Sequence, residues 1–178
     1  MPDWPISKNT DAIILSTSDQ QSLGRVLGAM GFSFGASAVW PSANKAYFVP
    51  ISVQGPITIR KMFVLNGDVV SGNIDVGIYD RGGARVVSIG STAQAGTDVI
   101  QEFDIADTLL NAGLYYLACA MDNATGKIQN LGITLIAGMS MGVAEMASAF
   151  PLPTTATFAP LSGTARIPFV AATLRTVV

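Results

Sequence analysis

The sequence predicts an all-β protein: an antiparallel β-sandwich preceded by an N-terminal arm that can form a short helix. Three observations carry this. The stretch Leu110–Met121, Leu-Asn-Ala-Gly-Leu-Tyr-Tyr-Leu-Ala-Cys-Ala-Met, reads as a turn feeding a central strand with apolar residues on both faces of its alternation. Such a strand is buried on both faces, or covered on one by a neighbouring subunit. Asn73–Asp80 alternates cleanly, with Ile74, Val76 and Ile78 on one face, and Arg81-Gly82-Gly83 closes a hairpin onto Ala84–Ile89. Finally, apolar runs and turn signals recur at roughly the 8–12 residue spacing of a sandwich or barrel.

In the arm, residues 1–45, Ala12–Leu15 forms a short strand. Ser18 and Gln21 fit a capping box, and Leu23, Val26, Leu27 and Met30 then follow at helical spacing. A short helix over Asp19–Met30 is expected, although Gly24 and Gly28 each cost it about 1 kcal/mol. From residue 46 to 178 the pattern is that of a sandwich. Ala46–Ser52 is a strand whose Pro50 suggests an edge, and Pro56–Leu65 is another, with a bulge at the change of phase around Arg60-Lys61. Asn66-Gly67-Asp68 is a turn. Strands are expected over Asp98–Asp104 and Gly132–Ala137, a turn over Asp107–Ala112, a short helix over Gly142–Phe150 and a closing strand over Arg166–Thr176. In the Leu110 corner, a tyrosine hydroxyl is expected to bond back to upstream backbone.

Charge is the most informative feature of the composition. Of the 178 residues only 12% are charged, against roughly 25% in an average soluble domain. Val26–Asn44 has no charged residue, and Ile128–Ala165 has Glu145 alone. Charge-poor surface suits subunit interfaces, so a homo-oligomer is expected. Its interface would draw on the arm (Trp4, Leu23, Val26, Leu27, Met30, Phe32, Phe34 and Trp40) and on Met139 and Met141 of the low-charge segment 136–165. A net charge of −2 with scattered basic residues argues against nucleic acid as a partner. The apolar runs are too short or too broken to span a membrane, and the opening Met1-Pro2-Asp3-Trp4-Pro5 has no signal-peptide pattern.

No catalytic, cofactor or metal site is expected. The chain has no histidine, which removes Ser-His-Asp and Cys-His catalysis and histidine zinc sites together. The single cysteine, Cys119, lies in the central strand, where a free thiol usually packs. Ser42-Ala43-Asn44-Lys45 matches S-x-x-K, but the companion motifs of penicillin-recognising enzymes are missing. Asp75, Asp80, Glu102 and Asp104 fall in or beside strands and read as solvent-face residues rather than as a glycosidase pair. Asp80 and Asp122-Asn123 are calcium candidates, weighed against ordinary turn roles. Tyr47 and Tyr79 are the rings that could offer a small platform to a sugar, with core packing as the competing reading.

From Tyr47 to Met121 the order of features resembles a recurrent β-sandwich of bacteriophage virion proteins, related to carbohydrate-binding jelly rolls. The residues that carry it are Ser71-Gly72-Asn73, Val76-Gly77-Ile78-Tyr79-Asp80 with Gly82-Gly83, Leu110-x-x-Gly113-x-Tyr115-Tyr116-Leu117-Ala118, and Met146–Pro153. The resemblance implies a jelly-roll-like, non-catalytic structural protein of a tailed-phage virion, either a capsid decoration or head-fibre protein or part of a tail appendage. It would assemble with other virion proteins and with copies of itself, as trimers. The alternative is an adhesion module that recognises host-surface glycan. Removing Met1–Lys45 is expected to abolish assembly and leave a folded β domain.

Overall fold

The computed structural model describes residues 13–15, 37–132, 135–163 and 166–173. The described residues form fourteen strands, paired antiparallel throughout, and one short helix. The all-β, sandwich-like architecture is as expected.

One sheet has the order β1 (Ile13–Leu15), β14 (Val170–Thr173), β4 (Ile57–Leu65), β8 (Ile100–Leu110). The larger one runs β12 (Ala159–Pro160), β11 (Ala144–Met146), β3 (Ala46–Val53), β9 (Gly113–Met121), β5 (Asn73–Asp80), β6 (Arg85–Ser88), with β7 (Thr92–Ala93) also on β5. A third, smaller sheet holds β13 (Arg166–Pro168), β10 (Lys127–Gly132) and β2 (Ser37–Val39). The core lies between the inward faces of the two larger sheets. Ile74, Val76 and Ile78 of β5 and Leu117, Cys119 and Met121 of β9 meet Ile59, Met62 and Val64 of β4 there, all of them fully buried. Alternation with a period of two therefore does for β5 what the sequence promised. The bulge between Ile59 and Lys61 is present.

The opposite face of β9 is buried as well, and the chain covers it itself. Ala118 and Ala120 sit with Phe48 and Tyr79 under residues 147–158, which supply Ala149, Leu152 and Ala156. This strap leaves β11, crosses the sheet and reaches its far edge. There Arg85 N donates to Thr154 O (2.9 Å) and Ala156 N to Gly83 O (2.8 Å). It returns through Phe158, whose ring lies 5.0 Å from Phe48 and 4.4 Å from Tyr116, to β12. Part of the charge deficit is thus explained inside one chain: the strap is apolar because it lies face down on a sheet. Gly83 fixes the far end. Its φ is +87°, and an added Cβ would stand 2.4 Å from Ala156 O. Gly83→Ala is expected to lower stability by about 2 kcal/mol, measured as a shift in the denaturant midpoint.

Several elements differ from the expectation. The helix, α1, is Leu135–Ser140, where the end of a strand was expected, and the strand lies earlier, at β10. The helix expected over Gly142–Phe150 is instead β11 and the start of the strap. β8 runs through Leu110, so the turn is Asn111-Ala112 alone. β3 is an interior strand as far as Phe48. Its ladder with β11 stops there, so Pro50 lies on the half with no ladder on that side, where a missing N–H is tolerated. The described residues begin the body of the fold before residue 46: β2 pairs with β10, and Trp40 is 4% exposed in the main core. The helix expected over Asp19–Met30 lies outside the described residues.

Candidate assembly surface

The helix α1 carries three of the exposed large apolar side chains among the described residues. Leu135, Ile136 and Met139 are 37%, 77% and 49% exposed, and Gly138 is the buried residue of the helix. A surface helix ordinarily shows polar residues outward; this one shows aliphatic side chains and a thioether. Its C-terminus is held by Met141 N to Ala137 O, Gly142 N to Met139 O and Val143 N to Gly138 O, each 3.0 Å. Gly142 then brings the chain against Pro50. Leu109 and Leu114, 58% and 40% exposed, flank the β8–β9 turn.

Of the interface residues expected from sequence, Met139 is exposed, and Met141 is half-buried against the core. Trp40 is not at a free surface. Its indole N–H donates to Lys45 O (2.8 Å), and its ring stands edge-on to Tyr47 at 5.3 Å. Trp4, Leu23, Val26, Leu27, Met30, Phe32 and Phe34 lie outside the described residues. Leu135 and Ile136 were missed because a run of aliphatic residues reads equally as strand or helix. The pair Gly138 and Gly142 was the available signal for a break.

The aromatic platform does not form. Tyr47 and Tyr79 are both fully buried, on opposite faces of the larger sheet. Tyr79 donates its hydroxyl to Pro153 O (2.6 Å) and thereby holds the strap. Burial, with the charge of Glu145 nearby, pushes the Tyr47 phenol up to about 12, and burial likewise raises that of Tyr79. In the Leu110 corner, where a tied hydroxyl was expected, Tyr115 and Tyr116 are half-buried.

The carboxylates are structural. Asp75 is fully buried rather than on a solvent face. It accepts from Ser88 Oγ (2.8 Å) and from Leu152 N (2.9 Å), which clamps the strap to β5. Burial pushes its carboxyl up, against those two bonds and the charge of Arg85. Glu145 pairs with Lys45 Nζ at 2.8 Å and accepts from Ser162 Oγ. Burial alone would raise its carboxyl, but Lys45 and Ser162 hold it below the ordinary value. A carboxylate so stabilised is a poor proton acceptor for Ser162, and the Lys45 of the S-x-x-K match is engaged by it. Glu102 and Asp104 pair with Lys61.

The calcium candidates stand at opposite ends of β5, about 23 Å apart along an eight-residue strand. Asp80 Oδ1 accepts from Ala84 N (2.9 Å) in the hairpin. Asp122 Oδ1 accepts from Asn73 N (2.9 Å) and from Asn123 Nδ2 (2.7 Å), while Asn123 Oδ1 accepts from Thr125 N (2.9 Å) and Gly126 N (2.8 Å). These oxygens build a loop, and no group of three or more metal-ligating side chains occurs among the described residues. Cys119 is buried and its thiol is pushed well above the ordinary value by that burial, so it is not an activated nucleophile. No described helix is long and apolar enough to cross a membrane. Comparison of the chain with protein-family models, with curated proteins and with solved structures found no match.

Proposed function

We propose that the chain is a non-catalytic structural component of a tailed-phage virion, a capsid decoration, head-fibre or tail protein. It assembles with copies of itself, as trimers, and with other virion proteins through low-charge surfaces. The observation that carries the assembly reading is α1, with Leu135, Ile136 and Met139 exposed in a stretch whose one charge, Glu145, is neutralised by Lys45. Apolar surface of this kind marks a site of association, and nothing charged has to be desolvated to bury it. The virion setting is supported by the sequence resemblance. The glycan-binding reading loses its two named rings to the core.

The test is the mass in light scattering of the purified chain and of Ile136→Asp. The wild type is expected to be multimeric and the variant smaller by whole subunits. The denaturant midpoint of the isolated subunit should move by no more than about 0.5 kcal/mol, since the side chain is on the surface. A monomeric wild type at high concentration, or an Ile136→Asp multimer of unchanged mass, overturns the assembly reading. Absence of the chain from purified phage particles by mass spectrometry overturns the virion setting.

A further inference from the structure

Asn66-Gly67 is the one Asn-Gly pair in the sequence, and the fold requires both residues. A Cβ on Gly67 would stand 2.2 Å from Ser37 Oγ and 2.8 Å from Lys127 Cβ, so only glycine fits against the paired strands β2 and β10. Asn66 is fully buried and joins three segments. Its Nδ2 donates to Ala95 O (2.7 Å) and Gln101 Oε1 (3.0 Å), and its Oδ1 accepts from Gln94 Nε2 (3.0 Å). Gln94 in turn donates to Lys127 O (2.8 Å) and accepts from Ser71 N (2.9 Å).

Asn-Gly is also the dipeptide most prone to deamidation, because glycine leaves the following amide nitrogen free to turn and attack. The Gly67 nitrogen, once deprotonated, bonds to Asn66 Cγ; the Cγ–Nδ2 bond breaks and ammonia leaves. Water then opens the resulting imide at either carbonyl, giving aspartate or isoaspartate. In the native fold every part needed for this step is tied down. Gly67 N donates to Lys127 O (2.9 Å), Gly67 O accepts from Asp98 N (2.9 Å), Asn66 N donates to Val99 O (3.0 Å), and the side-chain amide is held at both ends.

We propose that Asn66 is a deamidation site gated by folding: silent in the native chain, reactive in the open one, and once converted unable to re-enter the native network. The last step follows from hydrogen-bond chemistry. An aspartate at 66 would put a second acceptor oxygen where Nδ2 now faces two acceptors, Ala95 O and Gln101 Oε1, in a site without water access. The modification therefore marks chains that have unfolded, and it makes the loss permanent.

The experiment incubates the full chain in mildly alkaline buffer, native and in urea, and follows the tryptic peptide Met62–Arg81 by mass spectrometry with fragmentation. Asn73, followed by isoleucine in the same peptide, is the internal comparison. Asn66 is expected to convert readily in urea, and at least about tenfold more slowly in the native chain, because opening must come first. Equal rates in the two conditions overturn the gating. Gln101→Met removes one acceptor of the amide from a half-exposed position and is expected to speed native conversion; an unchanged rate overturns the assignment of the guard to this network. Asn66→Asp, read by its denaturation midpoint, is expected to fall well below the wild type or to show no cooperative transition. A wild-type midpoint overturns the claim that the product is excluded.

Discussion

Trp40→Ala is expected to destabilise the protein by about 3–5 kcal/mol, the range for truncating a large buried aromatic side chain. The indole is 4% exposed, meets Tyr47 edge-on at 5.3 Å and ties the chain ahead of β3 by its bond to Lys45 O. Trp40→Phe keeps much of the ring and loses that bond, so a loss nearer 1 kcal/mol is expected for the bond itself, with the missing volume added to it. The measurement is the denaturant midpoint of each variant. A loss for Trp40→Ala within about 0.5 kcal/mol, the range of surface substitutions, would return Trp40 to an interface role. The same packing reverses the expectation for truncation. A chain starting at Ala46 lacks β2, the partner of β10, and Trp40 with it, and is expected to lose cooperative unfolding rather than merely to stop assembling.

What was legible in the sequence was whatever depends on local period. β5 and its hairpin, the bulge at Arg60-Lys61 and the two-faced burial of β9 follow from alternation and turn chemistry, and they appear where the residues placed them. What was not legible depends on partners far away in the chain. Tyr79 and Asp75 stand on the outer face of β5; without the strap Asp75 reads as solvent-facing, while for Tyr79 core packing was already one of the two readings. The strap itself, poor in charge and interrupted by prolines, has no period to betray that it lies on a sheet. Gly77 between Asp75 and Tyr79 was the available hint: its Cβ position is closed by Val87 O at 2.7 Å and Leu152 Cδ1 at 3.1 Å. An exposed strand face has no need of so small a residue there. The charge deficit, read first as a sign of subunit contacts, divides between this internal cover and the exposed face of α1.

Asp75 tests the internal half of that division. Asp75→Ala leaves the Leu152 N–H and the Ser88 hydroxyl without their acceptor beneath the strap. A loss of about 3 kcal/mol is expected, since each buried group left unpaired costs about 1–3 kcal/mol and the hydroxyl can turn to another partner. Amide hydrogen exchange at Leu152 and Ala156, whose N–H groups donate to Asp75 and to Gly83 O, should rise with it, because the strap loses its central clamp. Asp75→Asn keeps an acceptor for Leu152 N and a donor for Ser88 Oγ, and removes only the ionisation. Because burial raises the native carboxyl above its ordinary 3.8, the native chain holds a proton that the unfolded chain has released. Stability from this group is therefore greatest in acid and declines as pH rises from about 3.8 through the native value. The wild type should gain on Asp75→Asn as the solution is acidified from neutral. Glu145 runs the other way: its native carboxyl lies below the ordinary 4.5, so its contribution is complete above that pH and disappears as pH falls further. Denaturant titrations of the wild type, Asp75→Asn and Glu145→Gln across the acid range separate the two. A wild-type advantage over Asp75→Asn that is flat with pH would mean that the carboxylate under the strap is reached by water, and one that grows toward neutral would mean that its bonds from Ser88 and Leu152 outweigh its burial.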